Sequence, residues 1–223
     1  MPPGKPPAPH PGAAALTAAP CVVLGTASAA RRRVFDRLAA EAVFSYTVEA
    51  ADIDERAIRK NDAVELVVAL ARAKARALLP RLPRAGLLVT ADQVVTWGGE
   101  IREKPRDAGE AASFLRDYRA GPPTTVSAVA VTDLATRRTA AGTDTVQIEF
   151  DPATLSEENV ATLAADPVVL GCAGGVAVER PLLANRTTIG GDLESVFGLP
   201  PGLTLDLVAA VAAGGGEAIG EGD

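Results

Sequence analysis

Apolar and polar positions along this chain keep two rhythms. Val22-Val23-Leu24 is a continuous apolar run stopped by Gly25, the pattern of a short buried strand. Ser28 then stands where a helix over 29–41 needs an N-cap. Residues 43–48 read as a second strand and the polar stretch 52–59 as a turn of helix. From 63 to 79 the apolar spacing changes: Val64, Val67, Val68, Ala71, Ala75 and Leu78 fall at i, i+3, i+4 intervals and predict one buried helix face. Residues 87–91 form another apolar run leading to the Gly98-Gly99 pair, which predicts a hairpin. Asp107 caps a helix over 107–120; strands follow at 125–132 and 145–150, and Ser156 caps a helix over 156–165. Two short apolar runs, 168–170 and 176–178, read as strands about a glycine-rich turn, and 202–212 closes as a helix. Helices alternate with strands throughout, which predicts an α/β fold with a mixed central sheet, flanking helices and an active-site cleft.

Composition narrows the function. At 223 residues and 48% apolar content the chain can bury a large core. A net charge of −6 lacks the basic field of a nucleic-acid binder, although local basic clusters can still hold a small anion. Cys21 and Cys172 read as reduced small hydrophobes. His10 is the single histidine and lies in a Pro-rich stretch, which removes His-based triads, His-ligated zinc and histidine general bases. Chemistry must therefore use carboxylates, lysines, arginines and hydroxyls. No run is long enough to span a bilayer, and residues 1–20 have no signal-peptide core, so a cytoplasmic location without membrane contact is expected. Residues 1–20 and 214–223 read as disordered tails around one domain over 21–213.

Four stretches carry candidate chemistry. In "GTASAARRRVF" (25–35), Arg31, Arg32 and Arg33 occupy the first turns of a helix, where the dipole disfavours cations. They suit either a solvated surface or an anion docked on the free N–H groups beside Ser28. In "ADIDERAIR" (51–59), Asp52, Asp54 and Glu55 crowd together after a strand, as at a favoured acidic helix start or around Mg²⁺ held with substrate phosphates. Lys74 borders an apolar helix face, the usual place for a lysine whose stem lies on the core. In "TADQVVTWGGEIREKPRDAGEA" (90–111), a two-residue turn pairs Trp97 with Glu100 and, counting back, Gln93 with Lys104. Alternation sends Asp92 to the opposite face unless the ladder ends or bulges there. An acid closing so apolar a run borders low dielectric. Trp97 is the nearest aromatic to this group, with packing of the hairpin end as its expected role. The P-loop, G-x-G-x-x-G and G-x-S-x-G patterns are all absent.

In this order, "LGTASAARR", "ADIDE", "LARAKARAL", "ADQVV", "GEIREKPRDAGEA" with "TTVSAVAVTD", and "ESVFGLP" resemble the Maf family of nucleoside triphosphate pyrophosphatases over about residues 22–211. The resemblance implies an elongated Maf/ITPase-like α/β fold, often a homodimer. It also implies a divalent cation (Mg²⁺ or Mn²⁺) and cleavage of a nucleotide to its monophosphate and pyrophosphate. The family's phosphate-binding serine and arginine fall on Ser28 and Arg31. Its acid after the second strand falls on Glu55, with Asp54 as the fallback, its helix lysine on Lys74, its catalytic aspartate on Asp92 and its second lysine on Lys104. Asp92 and Glu55 then share the roles of base and metal ligand. The chain departs from the family in reading Ser28-Ala29-Ala30-Arg31 where many members have Ser-Pro-Arg-Arg, and Asp92-Gln93 where pyrimidine-preferring members have Asp-Thr. Asp-Gln resembles the branch associated with 7-methyl-GTP and makes Gln93 a substrate-binding candidate. Alternatives are the same reaction on dTTP, UTP or CTP, or a non-catalytic nucleotide-binding regulator of growth or division. The full acid–lysine set separates the enzyme from a pure binding module.

Overall fold

The computed structural model describes residues 10–220. In chain order the elements are α1 (Pro11–Ala18), β1 (Val22–Gly25), α2 (Ala29–Ala42), β2 (Thr47–Glu49), α3 (Ala63–Leu78), β3 (Leu87–Trp97), β4 (Glu100–Arg102), α4 (Ala108–Asp117), β5 (Thr124–Asp133), β6 (Arg138–Phe150), α5 (Glu157–Ala164), α6 (Pro167–Leu170), β7 (Thr187–Ile189), α7 (Leu193–Val196), α8 (Pro201–Ala212) and β8 (Glu217–Ala218). The sheet is mixed and runs β2-β1-β3-β5-β6-β7, with β4 added to β3 and β8 to β6. β2 and β1 run parallel to the start of β3, whereas the later pairs are antiparallel.

One strand organises the site. β3 pairs with β5 without interruption from Leu87↔Asp133 to Thr96↔Thr124. On its other edge, β1 covers only Leu87 to Thr90, and β4 covers only Val95 to Trp97. Ala91–Val94 therefore have no strand on that side among the described residues. β1 and β2 point their carboxyl ends towards this gap from one direction, and antiparallel β4 points its own from the other. Loops following the carboxyl ends of strands at such a change of direction are where α/β sheets build ligand crevices.

The two faces of β3 are covered differently. Leu66, Val67, Leu70 and Ala71 of α3 pack against Val94, Val126, Ala128 and Ala130. On the other face Leu207, Val208 and Val211 of α8 join Val89, Ala91, Val129 and Val131. A third cluster gathers Ala111 and Leu115 of α4 with Val160 and Leu163 of α5 around Val95, Val146 and Ile148.

Several expectations need correction. Residues 10–20 are not a disordered tail: α1 buries Leu16 at 1% exposure against α8, and Gly12 lies so close to it that a Cβ there would stand 2.0 Å from the Leu205 carbonyl oxygen. The short apolar run Ala13–Leu16 was masked by the prolines around it. At the other end, Ala218 and Glu217 pair with Arg138 and Thr139, and Glu217 bonds Arg72 at 3.0 Å, so 214–220 is not a tail either. The tail expectations for 1–9 and 221–223 fall outside the described residues. Residues 43–48 are mostly not strand, because Val43 ends α2 in the left-handed region (φ 55°) and Phe44 and Tyr46 fold back onto Phe35, with ring centroids 5.5 and 4.8 Å away. The run 168–170 is helix α6: Asp166 caps it and Pro167 opens it, a start signal that outweighs a three-residue apolar run. Residues 176–178 form no strand; β7 supplies the next one, pairing with Ile148–Phe150 of β6. The buried face of α3 is also rotated from the expected one. Val64 is 40% exposed, while Leu66, Leu70 and Lys74 face inward.

Candidate active site

Lys74 lies within the buried stripe of α3, three residues beyond Ala71 and one before Ala75. At 8% exposure it is not a lysine reaching for water. Its ammonium forms a close ion pair with Asp92 and a second one, at 2.8 Å, with Glu55. Asp92 is 7% exposed and projects from β3 towards α3. Its neighbours on that face behave the same way: the Thr90 hydroxyl donates to the Ala71 carbonyl at 2.8 Å, and Val94 packs on Leu66 and Leu70. Glu55 opens a 3-10 turn, Glu55–Ala57, capped by Asp54, whose carboxylate accepts from the Arg56 N–H at 3.0 Å. Asp54 is thus occupied with its own turn, and Glu55 is the acid that reaches Lys74.

Two carboxylates and one ammonium leave a net negative charge, and two more cations answer it. Arg31 projects from the first turn of α2. Burial pulls its guanidinium below its ordinary pKa, while the charges of Asp92 and then Glu55 oppose that shift. Its Nε donates to the Gly198 carbonyl at 3.1 Å. Partial burial pushes the Glu55 carboxyl up, but Lys74, which hydrogen-bonds it, with Lys104 and Arg31 beyond, holds it below the usual carboxylate range. Lys104 is exposed, in the loop leaving β4. That loop is fixed by Gly174, whose N–H donates to the Glu103 carbonyl at 2.9 Å, and by an Arg59–Glu103 ion pair at 3.0 Å. Gly174 has φ 59°, and a Cβ there would meet Val95 Cβ at 2.7 Å, so a close backbone approach holds the lysine loop in place. Ser28 caps α2, its hydroxyl accepting from the Arg31 N–H at 3.4 Å.

The structure thus brings Glu55, Lys74 and Asp92 into contact, with Arg31 and Lys104 close enough for their charges to be felt. Gln93 does not join them. The hairpin pairs Trp97 with Glu100 as expected, but the β3–β4 ladder stops at Val95↔Arg102. The expected pairing of Gln93 with Lys104 does not form, and Gln93 lies opposite Ser127 of β5 instead. With no bulge, alternation holds and Gln93 faces away from α3. Trp97 is also committed: its Nε1 donates to the Gly121 carbonyl at 2.9 Å, and its ring stacks on the Arg102 guanidinium at 4.5 Å. Ser127, Ser195 and Gly198 are neighbours of the site that the sequence does not single out, although "TTVSAVAVTD" and "ESVFGLP" mark the segments holding them. Cys21 and Cys172 are free thiols; burial, then Glu179, pushes the Cys172 pKa up to about 11. No helix among the described residues is long and apolar enough to cross a membrane.

A family model described as Maf-like protein matches residues 21–211. The chain is 32% identical over 199 residues to a 7-methyl-GTP pyrophosphatase of Dictyostelium discoideum, covering 86% of this chain and 97% of that relative. It is 32% identical over 160 residues to a nucleoside triphosphate pyrophosphatase of Nostoc punctiforme, covering 72% and 78% of the two chains. It is also similar to a dTTP/UTP pyrophosphatase of Deinococcus radiodurans, 30% identical over 190 residues, covering 85% and 92%.

Proposed function

The chain belongs to the Maf family, and from that premise we propose that it hydrolyses a nucleoside triphosphate to the monophosphate and pyrophosphate, with 7-methyl-GTP as the favoured substrate. The observation that carries this reading is the set Glu55–Lys74–Asp92 beside half-buried Arg31 at the uncovered edge of β3. A binding module needs cations for phosphate. It has no use for two carboxylates brought to the same ammonium, one of them almost fully buried.

The triphosphate lies along Arg31, Lys104 and the first N–H groups of α2 beside Ser28, where cations and helix dipole both favour anionic oxygens. Asp92, shielded from bulk water, takes the proton of the attacking water. The new bond forms between that water oxygen and the α-phosphorus; the bond to the bridging oxygen breaks, and pyrophosphate leaves with the electron pair. Lys104 and Arg31 offset the charge that develops on the leaving oxygens. Lys74 holds Asp92 and Glu55 in register. Among the described residues no group of three or more histidine, cysteine or acidic side chains is gathered to hold a metal ion. The two carboxylates of Asp92 and Glu55, which meet at Lys74, fit Mg²⁺ or Mn²⁺ bound as in phosphoryl-transfer sites, through one or two carboxylates with substrate oxygens and water. Asp92 and half-exposed Glu55 would hold it, and when bound it supplies charge neutralisation on the phosphate.

The test is a nucleotide screen with Mg²⁺ and Mn²⁺ that measures pyrophosphate release, with kcat/KM compared for 7-methyl-GTP, GTP, dTTP, UTP and CTP. Release of orthophosphate with a nucleoside diphosphate would overturn the reaction. A higher kcat/KM for dTTP or UTP would overturn the base preference alone, and the similarity to the Deinococcus radiodurans protein supports that second reading.

A further inference from the structure

Gln93 follows Asp92 directly, yet its amide is engaged on the other side of the sheet. Its Nε2 lies 3.0 Å from Ser127 Oγ, 3.1 Å from the Ser195 carbonyl and 3.1 Å from the Val196 carbonyl. A carboxamide nitrogen has two hydrogens, so these three acceptors use its whole donor capacity. Ser127 tightens the same knot, donating to the Ser195 carbonyl at 3.3 Å. Both serines are almost fully buried. The knot fixes the carboxyl end of α7, and the chain then turns through Phe197 to Gly198, which adopts φ 81°. A Cβ on Gly198 would stand 3.1 Å from Arg31 Nε, 3.2 Å from Arg31 Nη2 and 3.2 Å from Gln93 Oε1. Gly198 is thus wedged between the Gln93 amide and the Arg31 guanidinium, and its carbonyl receives the Arg31 Nε proton.

We propose that Gln93 is a positioning residue for the phosphate site: it holds the Ser195–Gly198 turn so that the Gly198 carbonyl aims the Arg31 guanidinium across the uncovered edge of β3. Gln93 then acts on phosphate through Arg31 and has no donor left for a nucleobase. This rests on the proposed function in that Arg31 meets phosphate. It goes beyond it in giving the residue beside the catalytic aspartate a role independent of the base.

A double-mutant cycle tests this, with inorganic tripolyphosphate as a probe that has no base and needs no turnover. Gln93→Met keeps the length of the side chain and removes its hydrogen bonds. It is expected to weaken tripolyphosphate binding about tenfold and to lower kcat/KM by one common factor for 7-methyl-GTP and UTP, as misplacement of a phosphate-orienting group does. In an Arg31→Ala background, Gln93→Met should change neither quantity, because the two residues act as one unit. A loss confined to one nucleotide with tripolyphosphate binding intact would overturn the proposal and make Gln93 a base reader. An equal further loss in the Arg31→Ala background would overturn it as well, leaving a general effect on the fold. If Gln93→Met does not fold, Gly198→Ala presses on Arg31 from the same side and carries the same expectations. Tripolyphosphate binding is read without catalysis, so the cycle remains decisive even if no nucleotide is hydrolysed and the functional reading fails.

Discussion

Asp92 and Gln93 are adjacent on one strand, equally near the gap in the sheet, and chemically opposite. Asp92 points to α3 and ends in charge, with Lys74, Glu55 and the more distant Arg31. Gln93 points to α7 and ends in neutral groups, a serine hydroxyl and two main-chain carbonyls. On the first face the attraction is strong, but it stabilises little net, because desolvating the ions offsets most of it. On the second, each hydrogen bond contributes about 1 kcal/mol and none needs a charge removed from water. A strand can thus present reactive charge on one side and a rigid neutral brace on the other, and Arg31, at the strand edge, is held by the brace while it serves the charges.

The contrast can be broken from either side. The largest effect is expected from Asp92→Asn, which keeps the shape and nucleotide binding but lowers turnover at least about a hundredfold, measured as pyrophosphate release with an unchanged circular dichroism spectrum. Next comes Lys74→Met, which leaves Asp92 buried without its closest partner and should cost about 3 kcal/mol in denaturant unfolding as well as activity. The double change Lys74→Met with Asp92→Leu sharpens the point: most of that stability should return while turnover stays absent, since a buried ion pair replaced by apolar groups of like size is often neutral. Failure of the double variant to recover would show that the charged face is needed for the fold. On the neutral face, Ser127→Ala should cost about 1 kcal/mol and leave kcat/KM within a few-fold of the parent. The smallest change is expected from Arg37→Ala, which removes a partly exposed 2.8 Å pair with Glu194 of α7 and should shift stability by less than about 1 kcal/mol. A larger loss there would mean that α7 is held from outside and not by the Gln93 knot.

Much of this arrangement is legible in the residues. Ser28, Asp107 and Ser156 each cap the helix that their position announces, because a cap is a local contest between a side chain and a few N–H groups. The Gly98-Gly99 turn fixes Trp97 opposite Glu100 for the same local reason. Its reach ends there. Counting further back fails at Gln93, since β4 has only three paired residues and its ladder with β3 stops at Val95↔Arg102. The phase of α3 is also hidden, because Val64 and Leu66 are equally apolar and only the docked sheet decides between them. Lys74 is legible only through the family resemblance: by spacing alone a lysine beside an apolar stripe reads as an ordinary surface residue, because the two carboxylates it meets come from β3 and the Glu55 turn. Gln93 as a brace has no local signal, because its partners come from residues 34 and more than 100 positions away.

The interval of uncovered edge on β3 bears on solubility. Unpaired strand edges invite other chains to add to a sheet and so seed aggregation. Here the interval is four residues, about 13 Å at the usual rise per residue. β1 and β4 stop it at either end, and the Lys74–Asp92 ion pair lies at its floor. A foreign strand would find too few partners to pair with and would have to bury charge in order to try. A cleft can therefore stay open in the middle of the sheet without recruiting a neighbour, and the side chains that guard it are the same ones proposed to act on the nucleotide.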